Sequence, residues 1–123
     1  MPAPRTDLGA AEQALHALEQ RLRDHPFRAP EASDLAELGL GARELAAAER
    51  HGRLLRLDTT VVVLPSAPAR AMAILSRLDQ PFTASAARQA LGTTRRTAIP
   101  LLEHLDARGW TRPVAHGQRI VVR

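Results

Sequence analysis

Five consecutive residues, Thr93-Thr94-Arg95-Arg96-Thr97, set three hydroxyls beside two guanidinium groups. Arginine presents a planar fork of donors that fits phosphate or carboxylate oxygens, and hydroxyls add further donors. If the run opens a helix, the amides of its first turn point into the same space and favour an anion there. Arg112, Gln118 and Arg119 border a later loop and could grip a second stretch of phosphate backbone. Gln118 carries both a donor and an acceptor, which also suits it to a base edge.

Other chemistries lack their residues. The absence of cysteine removes disulfides, zinc ribbons, iron–sulfur ligation and thiol nucleophiles. All 17 basic residues are arginine, so a phosphate-loop lysine, a Schiff base and a lysine general base are excluded. Histidines stand at 16, 25, 51, 104 and 116, with no spacing of three or four that would pair two on one helical face. They read as surface residues, and no metal or other cofactor is expected. Glu103, His104 and Asp106 read as a solvated helix face rather than an acid–base pair. Gly39-Leu40-Gly41 follows a helical pattern, not a strand, and reads as a turn rather than a dinucleotide loop. No serine sits in a nucleophile elbow, so the chain is not expected to be an enzyme. Phe27, Phe82 and Trp110 are the only aromatic residues, too few for a platform of stacked bases.

The 123 residues carry 45% apolar side chains, enough for a core. No apolar run approaches the length of a membrane span, and the start Met-Pro-Ala-Pro-Arg lacks the apolar segment of a signal peptide. A cytoplasmic location without membrane attachment is expected. Met1 suits either an independent short protein or a fragment of a longer one. Charge is divided unevenly. Residues 1–64 hold eight arginines against ten acids, and residues 65–123 hold nine against three, so a net charge of −2 is followed by +6. The second half is expected to face a polyanion.

The elements that must position these groups are written twice. His25-Pro26-Phe27 is echoed by Gln80-Pro81-Phe82, Leu38-Gly39 by Leu91-Gly92, and Val61-Val62-Val63 by Ile120-Val121-Val122. In the first unit, apolar residues at 8, 11, 15, 18 and 22 predict a helix over 6–24, stopped by His25-Pro26. A short helix from Pro30 to Leu38 closes at Gly39, and a third runs from Ala42 to His51 with Leu45 and Ala48 inward. Residues 53–57 and 60–64 then predict a hairpin. The second unit repeats the order: a helix over 67–78 with Met72, Leu75 and Leu78 inward, and an extended step at Phe82-Thr83. Helices over 84–91 and from Thr93 or Thr94 to Arg108 follow, then a hairpin with His116-Gly117 at its tip. Pro100 falls inside the last helix, either tolerated near its start or kinking it so as to aim the arginines. The expected fold is mainly α with small β-hairpins (α+β): two tandem winged helix-turn-helix domains, 1–64 and 65–123.

The stretch from Leu91 to Arg112, LGTTRRTAIPLLEHLDARGWTR, resembles the last winged-helix domain of the bacterial selenocysteine-specific translation elongation factor. Phe82, Thr83 and Arg88 fit the same pattern, and residues 8–64 resemble the preceding winged-helix domain more loosely. The chain departs from the family at Arg96-Thr97, where lysine and tyrosine are usual, and at residues 114–117, where a basic residue and a glycine–aspartate turn are usual. The resemblance implies an RNA-binding module for the selenocysteine insertion sequence, a messenger RNA hairpin that directs recoding of UGA during translation. It adds Arg88 to Thr93, Thr94, Arg95, Arg96, Arg112, Gln118 and Arg119 as the RNA-binding set. The ribosome and the factor's GTPase portion become further partners, a monomer is expected, and the acidic first unit becomes a spacer or relay.

Two other readings stay open. One is a winged-helix transcription regulator that reads a DNA major groove as a dimer, with its long first helix as the self-association seam. The other is a protein-interaction module without nucleic-acid contact. Winged helices serve all three purposes.

Overall fold

The computed structural model describes residues 11–123 and divides the chain into two compact units, Met1–Pro65 and Ser66–Arg123. In the first unit, α1 (Glu12–Asp24), α2 (Ala32–Leu38) and α3 (Ala42–Arg50) precede a hairpin of β1 (Leu55–Asp58) and β2 (Val61–Val63). The expected start of α1 at Thr6, with Leu8 on its apolar face, lies outside the described residues. Leu15, Leu18 and Leu22, spaced one helical turn apart, are fully buried and join Leu35, Leu40, Leu45, Leu54 and Val62 in one core. The leucine face of α1 is therefore consumed inside its own unit.

Helix α2 begins two residues later than expected. The Glu31 amide donates to Asp34 Oδ2 at 2.9 Å, which makes Glu31 the residue before the first turn and leaves Pro30 outside it. Gly41 and Glu44 repeat the device at α3, again at 2.9 Å. The α2–α3 turn passes through Gly39 at φ +75°, a left-handed value that a side chain would strain. Leu55 pairs with Val63 and Arg56 with Val62, and a bulge between Arg56 and Asp58 shifts the register before the turn. Arg53 ties the end of α3 back to α1. Its Nε and Nη2 donate to the two carboxylate oxygens of Glu19 at 3.1 and 2.8 Å, and its Nη1 donates to Glu12 at 2.7 Å. Those bonds, Glu19 foremost, raise the Arg53 guanidinium above its ordinary range.

The second unit comprises α4 (Ala67–Leu75), α5 (Ala84–Leu91), α6 (Arg95–Ala107) and a hairpin of β3 (Thr111–Pro113) and β4 (Arg119–Val121). Its buried apolar residues include Leu75, Phe82, Leu91, Leu101, Leu102 and Leu105. Helix α4 stops at Leu75 rather than Leu78, and its buried face is Ala67, Pro68, Ala71 and Leu75 instead of Met72, Leu75 and Leu78. Beyond Leu75 the chain tightens into three-residue turns, with the Arg77 and Leu78 amides donating to the carbonyls of Ile74 and Leu75 at 3.1 Å, and the Gln80 side-chain amide donates to the carbonyls of Leu75 and Leu78 at 3.2 and 2.9 Å. Thr83 then caps α5 by accepting from the Ala86 amide at 3.0 Å.

The extended step at Phe82 acquires a partner. Phe82 and Arg119 exchange both backbone bonds, at 2.8 and 2.9 Å, and so add a third, one-residue strand to the β3–β4 hairpin. Gly92, at φ +66°, turns the chain from α5 into α6. The hairpin tip is a single 3₁₀ turn over Ala115–Gly117 with His116 at φ +63°. Two three-helix units, each with a terminal hairpin, give the expected winged-helix α+β fold. No helix among the described residues is long and apolar enough to cross a membrane.

Candidate nucleic-acid interface

The start of α6 is shaped by the turn before it. Thr94 is extended, at φ −105° and ψ 167°, and its hydroxyl makes no capping bond to the helix. Thr94 and Arg95 are exposed, while Thr93 and Arg96 are half-buried. Thr83 uses its hydroxyl to close the start of α5, whereas Thr94 leaves the start of α6 uncapped by its side chain. Thr97 departs from expectation. It is 1% exposed, so the third hydroxyl of the cluster belongs to the interior and the surface is made by four residues rather than five.

Arg88 reaches this turn from the preceding helix. Its Nη1 donates to the Thr93 carbonyl at 3.4 Å, bracing the backbone that leads into α6. Helix α6 runs unbroken through Pro100, whose missing amide leaves the Arg96 carbonyl without its usual helical donor.

The wing residues separate by strand alternation. Thr111 pairs with Val121, Arg112 with Ile120, and Pro113 with Arg119, so Thr111 and Arg119 share one face while Arg112 lies on the other. Arg112 is exposed and Gln118 half-buried. Arg119 was expected to grip backbone beside them, but its Nε donates to both oxygens of Asp106 at 3.1 and 3.0 Å, and its side chain is only 15% exposed. Thr111 donates its hydroxyl to the same carboxylate at 2.6 Å. Asp106 thus fastens both strands of the wing to α6.

Sequence reasoning missed that anchor by assigning Asp106 to a solvated face. The sign available beforehand was an acid in the last turn of the helix, followed five residues later by a threonine at the start of a strand. His104 is a second correction, being half-buried with its Nε2 enclosed and unbonded rather than a surface residue. Burial pushes its imidazole below the usual value of 6.5, and the Arg108 charge adds to the shift. The guanidinium of Arg108 lies 4.2 Å from the centre of the Trp110 ring, a cation–π contact at the exit of α6.

The sequence model of one family, described as the winged helix of elongation factor SelB, matches residues 73–119. The match lies within the second unit. That stretch contains the start of α6, Arg88 and the wing as far as Arg119, so the resemblance read from residues 91–112 holds. Two solved structures share the fold. A bacterial selenocysteine-specific elongation factor, EF-Sec, superposes with a TM-score of 0.69 at 22% identity over 97% of this chain. The chain spans 20% of that factor's length. The mRNA-binding domain of elongation factor SelB from E. coli, in complex with SECIS RNA, gives a TM-score of 0.66 at 20% identity. There the match covers 90% of this chain and 98% of the other. Among curated proteins none matches the chain.

Proposed function

We propose that the chain is a non-catalytic RNA-binding module of the SelB type, whose second unit holds a selenocysteine insertion hairpin in messenger RNA so that UGA is recoded during translation. The observation that carries this reading is the SelB winged-helix match falling on the unit with nine arginines and three acids, across the turn that exposes Arg95. Thr93, Thr94, Arg95, Arg96 and Arg112 would contact phosphates, and Gln118 would contact a phosphate or a loop base. Arg88 and Arg119 would act chiefly by positioning, one bracing the turn and the other the wing. The SECIS complex of the E. coli domain supports the ligand class. The first unit would serve as a spacer or relay toward the ribosome and a GTPase portion, with the chain monomeric.

Fluorescence anisotropy with a SECIS-type hairpin, the same stem with a scrambled loop, and duplex DNA tests the assignment. The hairpin is expected to bind most tightly, with affinity falling steeply as salt rises. Equal affinity for RNA hairpin and duplex DNA, or tighter binding of DNA, would overturn it.

A further inference from the structure

The first unit has the same element order as the second, yet the place that holds the arginine turn in the second unit holds a cleft here. This cleft, of about 500 Å³, lies between α2, the α2–α3 turn, the start of α3 and the tip of the β1–β2 hairpin at residues 59–60. Leu35, Leu40 and Leu45 line it with less than a tenth of their surface exposed, beside the exposed Ala32, Ala36 and Ala42. Small exposed side chains next to buried leucines let a foreign backbone approach closely and place its own apolar groups in the hollow.

Charge settles what kind of partner fits. The segments that build the cleft, residues 31–45 and 58–60, carry Glu31, Asp34, Glu37, Glu44 and Asp58 against one arginine, Arg43. Arg21 of α1 adds a second cation through its 3.2 Å bridge to Asp34. The excess of carboxylate remains, and it disfavours a phosphate backbone there.

We infer that this cleft is a docking groove for a basic amphipathic helix of a partner protein, with aliphatic residues one turn apart in the hollow and arginine or lysine beside the carboxylates. A helix satisfies its own backbone groups and offers anchors at i, i+3, i+4 and i+7, which an apolar groove needs and an extended strand does not supply. The inference does not rest on the RNA reading, since it concerns the other unit.

A displayed library of random peptides about five helical turns long, panned on the whole chain, supplies the probe. Enriched sequences are expected to share aliphatic residues at helical spacing flanked by arginine or lysine. The dominant peptide, made synthetically, is expected to bind the chain and to lose about tenfold in affinity with Ala36→Arg, which fills and recharges the hollow. Glu37→Arg, on the exposed rim, should weaken the same peptide without touching the core. Arg95→Ala should leave peptide binding unchanged, so failure of the RNA reading would not register here. The inference fails if no consensus emerges, if the consensus is acidic, or if binding ignores both variants. It also fails if Ala36→Arg instead abolishes self-association in sedimentation or weakens RNA binding, which would give the cleft to a second copy or to nucleic acid.

Discussion

Asp106 shows how a single carboxylate can serve a surface of opposite charge. It accepts from Thr111 and Arg119 on the two strands of the wing while standing on α6, so its removal unfastens both strands. By charge alone, Asp106→Asn should favour RNA, because a negative group near a basic interface is lost. The expected outcome is the reverse: stability to urea falls by about 2 kcal/mol and hairpin affinity drops, while Asp106→Glu recovers part of both. His104 makes a pH-dependent contribution of defined sign. Its folded-state pKa lies below the unfolded one, so the unfolded chain binds more protons as the solution is acidified. Stability is therefore complete above the ordinary histidine value and is lost as pH falls through the depressed one. Urea midpoints measured between about pH 7.5 and pH 5.5 should fall for the native chain and fall less for His104→Gln.

At the scale of elements, α6 carries a proline within it and begins without a side-chain cap. Pro100 removes the donor that would hold the Arg96 carbonyl, and Leu101, Leu102 and Leu105 keep the helix seated by full burial. Pro100→Ala should raise stability by about 1 kcal/mol or more through the restored bond. Its effect on hairpin affinity decides whether the proline aims the arginines: unchanged affinity means tolerance, and a loss means aim. The helices themselves were legible in the sequence. Period, Gly39, Gly52, Gly92 and Gly109 marked their positions, and residues 84–91 came out as read. What misled was competition for chain ends. Past Leu75 the chain tightened into three-residue turns joined by the Gln80 side chain, and the Glu31–Asp34 pair set the start of α2, because bonds at a terminus depend on rotamers and local turns that periodicity does not encode. The ion pairs were less legible still. Arg53 with Glu19 and Arg119 with Asp106 join residues 34 and 13 apart in the chain, and such partners are named only once helices have packed at particular angles.

Over the whole molecule, the two units divide charge unequally, with ten acids in residues 1–64 and three in residues 65–123. If phosphate contacts at the α6 turn dominate, Arg95→Ala with Arg96→Ala should lower hairpin affinity by about a hundredfold and flatten the salt dependence by about two contacts, in anisotropy titrations at several salt concentrations. An affinity loss without a change in salt slope would place those arginines in the fold rather than on the ligand. The duplication was visible from the near-constant offset between the Pro-Phe and Leu-Gly echoes, and so was the basic bias of the second unit. The hollow beside the α2–α3 turn of the first unit was not visible, because the spacing of its leucines marks which residues turn inward and not the space left between helix and hairpin.

The exchange of backbone bonds between Phe82 and Arg119 bears on the ligand as much as on the protein. A flap stitched beside its tip to the segment entering α5 is held in place before anything binds. If the second unit takes the hairpin proposed above, the mould is finished before the guest arrives and accommodation falls to the RNA. Hairpins that fold slowly or in several forms should then be captured at the pace of their own refolding.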